Sequence, residues 1–220
     1  MSVSEHKKNA AIAALEYLDR GVGTLGIGTG STVNALIPAL AAKKDLFETV
    51  VSSSEQSTQL LEQAGITVSD LNTAGTVDLY IDGADEITKH FYLVKGGGGA
   101  LTREKILAAA ARRFVCIADE SKLVGMLGSF PLPIEVIPMA RSYVSRQIIK
   151  MRGQPVWREN FVTDNGNEII DVHNLQIPNP LEMETRLNQI AGVVTVGIFA
   201  HRGADIVLLG HDGGVRLMQR

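Results

Sequence analysis

Between Tyr80 and Lys105 the chain reads YIDGADEITKHFYLVKGGGGALTREK. Asp82 and Asp85 follow an apolar run, Lys95 stands before four glycines (Gly96 to Gly99), and Glu104 follows shortly after. Four consecutive glycines cost conformational entropy. That cost fits a backbone laid against a ligand, with Lys95 at its entrance. Two carboxylates in one loop, Asp82 and Asp85 around Gly83 and Ala84, can hold sugar hydroxyls or Mg²⁺. A magnesium enzyme usually also shows a nucleotide-phosphate site, and none is visible. Glu104 falls near a helix start, where negative charge is favoured. A solvated lysine and an ordinary helix glutamate are the bland alternatives. The position of Lys95 and Glu104 on either side of the glycine run weighs against them.

A second stretch, GIGTGST from Gly26 to Thr32, also follows an apolar run. Glycines let N–H groups approach an oxyanion, and a following helix N-terminus favours negative charge. Thr29, Gly30, Ser31 and Thr32 are therefore candidate anion contacts. The Walker A pattern fails for want of GK[ST], and Ser31 stands where the dinucleotide fingerprint needs its third glycine. Such turns are common, so this stretch alone is a weak signal. In ADESK, Lys122 is a candidate phosphate contact, with a solvated loop lysine an equal alternative. The five histidines are scattered without ligand spacing, which argues against zinc.

These residues need elements to hold them. Helical spacing covers residues 4–19, with Gly21 and Gly23 ending that helix. TLGIG and TVVSSS read as strands, and TVNALIPALAA between them as a helix with Ser31 or Thr32 as N-cap. EQSTQLLEQAG is a helix closed by Gly65. ITVSDL, VDLYIDGAD and FVCIAD are further strands, and LTREKILAAAARR is a helix. Strands alternating with helices predict a mostly parallel sheet. Its carboxyl edge, where such sheets bind ligands, would carry GTGST, DGAD and ADESK together.

From about residue 130 the pattern changes. PIEVIP, MARSYVSRQIIKMRG, two strands around TDNGN, PLEMETRLNQIAG and VVTVGIFA follow the order β-α-β-β-α-β, a ferredoxin-like unit. The tail ADIVLLGHDGGVRLM reads as a strand and a turn returning to the first sheet. The expected division is a Rossmann-like domain of residues 1–129 and 200–220, and a smaller ferredoxin-like domain of 130–199. Prolines 131, 133 and 138 mark the crossing.

A chain of 220 residues with 45% hydrophobic and 20% charged residues is long enough for a real core. Twenty-one Lys plus Arg against twenty-four Asp plus Glu, net −3, argues against a nucleic-acid partner. No apolar run is long enough for a membrane span, and the N-terminus lacks the order of a signal peptide. The expected location is the cytoplasm. Cys116, the single cysteine, reads as a buried strand residue.

Taken together, GTGST, DGADE, KGGGGALTREK, ADESK, FPLPIEVIPMAR and VTDNGN resemble ribose-5-phosphate isomerase of type A. Single motifs are weak; six in order along nearly the whole chain are specific. The resemblance implies a Rossmann-like domain with a smaller ferredoxin-like one. It implies interconversion of ribose 5-phosphate and ribulose 5-phosphate in the pentose phosphate pathway, without metal or cofactor, by a homodimer or homotetramer. Glu104 matches the family's general base, and Asp82, Asp85 and Lys95 match residues around the reacting carbons. Thr29 to Thr32, Gly96 to Gly98 and Lys122 match ligand-binding positions. Lys7 matches a phosphate-contacting lysine, with Lys8 beside it as the alternative, because RGVGTLGIG is one residue longer than the family pattern. Asp82, by preference over Asp85, would move protons during ring opening. Activity should then survive EDTA. Two other classes remain: acyl-CoA transfer by a nucleophilic glutamate, and a non-catalytic sugar-phosphate sensor. The first predicts a glutamyl-CoA adduct, and the second usually carries a DNA-binding module.

Overall fold

A computed structural model describes residues 2–18 and 21–220. In chain order the first elements are α1 (Val3–Ala14), β1 (Val22–Ile27), α2 (Ser31–Ala41), β2 (Phe47–Ser52), α3 (Glu55–Gln63), α4 (Leu71–Ala74) and β3 (Val77–Asp82). The short strands β4 (Glu86–Ile87) and β5 (Leu93–Val94) follow, then α5 (Leu101–Ala110) and β6 (Ala111–Asp119). The rest comprises β7 (Leu132–Val136), α6 (Arg141–Lys150), β8 (Gln154–Trp157), β9 (Glu168–His173), α7 (Pro180–Asn188), β10 (Val193–Val196), β11 (Ile198–Phe199), β12 (Ile206–His211) and β13 (Gly214–Gln219).

The chain divides into two units. One holds the chain up to Ala84, with Arg103–Lys122 and Ala204–Arg220. The other holds Asp85–Thr102 and Leu123–Gly203. The sequence reading placed residues 85–102, 123–129 and 200–203 in the first domain, whereas by their contacts they group with the second.

The first unit is built on a six-stranded sheet, ordered β13-β12-β6-β3-β1-β2. β2, β1, β3, β6 and β12 run parallel, and β13 closes the edge antiparallel. β1 is nearly all apolar and buried, as a strand covered on both faces must be. Leu25, Ile27, Leu79, Ile81, Val115 and Ile117 form one core with Ala10, Ala11 and Ala14 of α1 and Val33, Leu36 and Leu40 of α2. From β1 the chain steps to β2 on one side, then returns past β1 to β3 on the other. The switch point therefore lies at the carboxyl ends of β1 and β3, where α/β sheets bind ligands.

The second unit has a four-stranded antiparallel sheet ordered β10-β7-β9-β8, with α6 and α7 following β7 and β9. That is the ferredoxin-like connectivity the motif order implied. A three-stranded sheet, β11-β5-β4, holds the segment after Ala84.

Several local expectations are corrected. The helix expected over 4–19 ends at Ala14 with a tight turn over Leu15–Tyr17; its last residue, Asp19, lies outside the described residues. Gly23 belongs to β1. ITVSDL forms no strand, only the single bridge Val50↔Val68, and Asp70 caps α4 instead. The helix from Leu101 stops at Ala110, because Ala111 and Arg113 are registered against Val77 and Leu79 of β3. VVTVGIFA splits at Gly197 into β10 and β11, which join different sheets. The tail is a two-stranded return, β12 and β13.

Candidate active site

The turn after β1 is held from the neighbouring strand. Asp82, the last residue of β3, is fully buried. Its Oδ1 accepts the N–H groups of Thr29 (3.1 Å) and Gly83 (2.7 Å), and its Oδ2 accepts the Tyr80 hydroxyl. A Cβ on Gly28 would come within 1.9 Å of that carboxylate, so only glycine fits there. Gly30 has φ +106° and is the N-cap of α2, with no side-chain cap. The expected capping by Ser31 or Thr32 is thus replaced by a backbone that only glycine adopts readily.

Thr29 is braced from below. Its hydroxyl oxygen accepts from Ser54 Oγ (2.9 Å) and lies 3.1 Å from Ser57 Oγ, whose single proton goes to Gly28 O (2.8 Å). Ser31 is exposed at the start of α2, and Lys7 Nζ donates to its Oγ at 3.0 Å. Lys7, not its neighbour Lys8, makes this contact, and Lys8 is exposed. Thr32 is buried. Lys122 ends the turn Glu120–Lys122 after β6; that turn is closed by Ser121 donating to the buried Asp119. The same unit therefore carries Lys7, the Thr29–Thr32 turn, Asp82 and Lys122.

Glu104 lies in the first turn of α5 and is only 3% exposed. Its charge acts on Tyr80. Burial first, then Asp82, then Glu104 pushes the Tyr80 hydroxyl well above its ordinary range. Tyr80 stays a neutral donor among carboxylates. Sequence reading missed it, although its position two residues before Asp82 on one strand puts both side chains on one face.

In the second unit the four glycines form a tight turn. Gly99 N donates to Gly96 O (2.9 Å), and Gly96 and Gly99 have φ +106° and +84°. A Cβ on Gly97 would lie 2.8 Å from Asp85 Oδ1, and one on Gly99 2.1 Å from the Phe161 ring. The glycines are thus needed partly by the protein itself, and not only by a ligand as the sequence suggested. Asp85 is half-buried; its N–H donates to Val94 O, and its Oδ2 accepts Gly97 N–H at 2.8 Å. Lys95 is 2% exposed, with Nζ 5.6 Å from the centre of the Phe199 ring. Gly97 and Gly98 are exposed at the tip of the turn.

Arg158 pins this turn. Its guanidinium donates to Gly97 O (3.1 Å) and Gly96 O (3.4 Å) and is itself held by Asp171 (2.5 and 2.8 Å). No sequence signal links residues 61 positions apart. Glu86, the last residue of DGADE, accepts the N–H groups of Gly128 and Phe130 (both 2.7 Å) and orders the approach to β7. Among the described residues no group of three or more His, Cys, Asp and Glu is placed to hold a metal ion. None of their helices is long and apolar enough to cross a membrane.

A parallel sheet with a glycine turn at its switch point and a buried carboxylate in the first turn of α5 give the first unit the form of an α/β enzyme. Residues 49–214 match the family model of ribose 5-phosphate isomerase A (phosphoriboisomerase A). Ribose 5 phosphate isomerase A from Neisseria gonorrhoeae is 45% identical with a TM-score of 0.96, over 99% of this chain and 97% of that one. A D-ribose-5-phosphate isomerase in complex with phospho-erythronic acid is 38% identical with a TM-score of 0.95, over the full length of both. The Methanocaldococcus jannaschii ribose 5-phosphate isomerase A is also 38% identical, with a TM-score of 0.93 over the full length of both. The chain belongs to the ribose 5-phosphate isomerase A family, whose reaction interconverts ribose 5-phosphate and ribulose 5-phosphate.

Proposed function

We propose that the reaction runs through an enediolate and that Glu104 carries the proton. In the open-chain aldose, Glu104 takes the proton on C2, and the electron pair moves toward the C1 carbonyl oxygen. The same carboxylic acid then returns the proton to C1. The O2 hydroxyl loses its proton as O1 gains one, which leaves the ketose. One carboxylate serves both carbons because they are neighbours on a planar intermediate. Lys95 and the N–H groups of the glycine turn stabilise the oxyanion as charge develops. The observation that carries this reading is Glu104, almost fully buried in the first turn of α5 in the unit that also holds Asp82 and the Thr29–Thr32 turn.

Lys7, Lys122 and the Thr29–Thr32 turn take the phosphate, with Ser31 already within reach of Lys7. Asp85 and the tip of its glycine turn take sugar hydroxyls. Asp82 is our candidate for the ring-opening exchange, taking the anomeric hydroxyl proton while the ring oxygen gains one. A similar enzyme in complex with phospho-erythronic acid supports a phosphorylated sugar ligand. We also infer a metal-free enzyme of the pentose phosphate pathway, working in the cytoplasm as a homodimer or homotetramer, on the strength of the family resemblance.

The test is Glu104→Gln, which keeps the shape and removes the basic oxygen. Positioned bases contribute about 10²–10⁴ in rate. In a coupled ribose 5-phosphate assay kcat should fall at least roughly 10²-fold. Incorporation of solvent deuterium at C1 should slow with it. Near-normal kcat would remove Glu104 from the role and make Asp82 the next candidate.

A further inference from the structure

We propose that Glu135 is a positioning residue for the isomerase reaction, acting through Thr102 on the helical turn that carries Glu104. The proposal rests on Glu104 being the base.

Glu135 sits in the middle of β7 and is fully buried. Its strand neighbours Leu132, Ile134 and Val136 belong to the apolar core formed with Val144 and Ile148 of α6 and Leu187 of α7. Strand alternation turns Glu135 to the opposite face. A buried carboxylate is costly unless it is hydrogen-bonded, and this one is richly supplied. Oε1 accepts from Thr163 Oγ1 (3.0 Å), Asn165 Nδ2 (3.1 Å) and Asn167 Nδ2 (2.8 Å). Oε2 accepts from Thr102 Oγ1 at 2.5 Å.

The three donors on Oε1 come from one turn, VTDNGN. That turn closes on itself: Thr163 N donates to Asn167 O (2.9 Å), Gly166 N to Thr163 O (2.9 Å), and Asn167 N to Thr163 Oγ1 (3.1 Å). Sequence reading took TDNGN for a simple hairpin turn between β8 and β9. Its structure adds a second task, aiming three side-chain donors at one oxygen 28 to 32 residues away.

With Oε1 saturated, the remaining oxygen is directed to Thr102. A carboxylate is the side chain for this, since both its oxygens accept and neither donates. Thr102 is the second residue of α5 and stands two residues before Glu104, in the same turn. Fixing its hydroxyl fixes the rotational phase of that turn. Rates are sensitive to such placement: a displacement of about 1 Å can cost roughly 10²-fold.

The experiment uses Thr102→Val, which keeps the shape and removes the hydroxyl, and Thr102→Ser, which restores it. Expected for Thr102→Val is a kcat about tenfold lower or less, a partial displacement on that scale. KM for ribose 5-phosphate should stay close to wild type, while the melting temperature should fall, because the buried Oε2 of Glu135 loses its Thr102 donor. Thr102→Ser should recover most of the kcat. Glu135→Gln, which keeps Oε1 as an acceptor, should fall between them. The proposal is overturned if Thr102→Val retains wild-type kcat or if Ser fails to rescue it. It is also overturned if KM rises in step with the fall in kcat, or if the kcat loss vanishes at temperatures well below the variant's melting transition, the pattern of a merely structural contact. Glu104→Gln run in parallel separates the two readings. Loss there with full activity in Thr102→Val refutes only the Glu135 link, whereas full activity in Glu104→Gln refutes the base beneath it.

Discussion

Each aspartate of DGAD holds one glycine turn through a backbone N–H, but the two are held differently. Asp82 takes Thr29 N–H and binds the turn of the parallel-sheet unit; Asp85 takes Gly97 N–H and binds the turn of the other unit. Asp82 is fully buried with three donors from its own unit, including the neutral Tyr80 hydroxyl. Asp85 is half-buried, beside a glycine tip open to solvent. The motif looks symmetric in sequence. In the fold, one carboxylate is buried and braced by donors from its own unit, and the other is presented at the surface of its unit.

This contrast can be broken most directly by truncating each aspartate. Asp82→Ala strands two backbone N–H groups and a buried phenol, and unsatisfied buried donors cost about 1–3 kcal/mol each. Urea unfolding should show a loss of about 3 kcal/mol or more for Asp82→Ala. Asp85→Ala exposes Gly97 N–H to water and should lose under about 1 kcal/mol, while activity falls in both. Equal stability losses would erase the distinction.

The two lysines sharpen it further. Lys95 is buried beside the second glycine turn, and Lys122 lies in a partly exposed turn of the first unit. Lys95→Ala should lower kcat, by roughly 10² if it acts on the oxyanion. Lys122→Ala should mainly raise KM, about tenfold, because a phosphate contact is equal in ground and transition states. Steady-state kinetics with ribose 5-phosphate reads both, and unphosphorylated ribose should be a very poor substrate. A kcat effect from Lys122 with unchanged KM would reverse the division of labour.

The smallest effect concerns Tyr80. Burial, Asp82 and Glu104 keep its hydroxyl protonated well above the ordinary value of about 10. Above about pH 10 the unfolded chain loses that proton while the folded one retains it, so stability falls as pH rises through this window. Below about 10 both states are protonated and Tyr80 adds no pH dependence. Tyr80→Phe should therefore lose less stability than wild type between about pH 9 and 11, measured by urea unfolding at each pH. An identical slope in the two proteins would mean that Asp82 is not shielded by a neutral phenol.

What was legible in the sequence was what local patterning encodes. Apolar runs between helical periods announced the parallel sheet, and their order after residue 130 announced the ferredoxin-like unit. Glycines that need positive φ, such as Gly30 and Gly96, and the Asp82, Asp85, Lys95 and Glu104 set could be named because each lies within one short segment. Tertiary structure decided whatever depends on a distant partner. ITVSDL has strand composition but meets only one bridge, at Val68. Ala111–Arg113 continue a helical pattern, yet pairing with β3 draws them into β6. VVTVGIFA is one apolar run until Gly197, where a Cβ would lie 2.3 Å from Lys95 O and the chain changes sheets. The grip of Arg158 on the glycine turn and of Glu135 on Thr102 joins residues 61 and 33 positions apart. A periodicity carries information only over its own window, and these contacts exist only once the sheets have assembled.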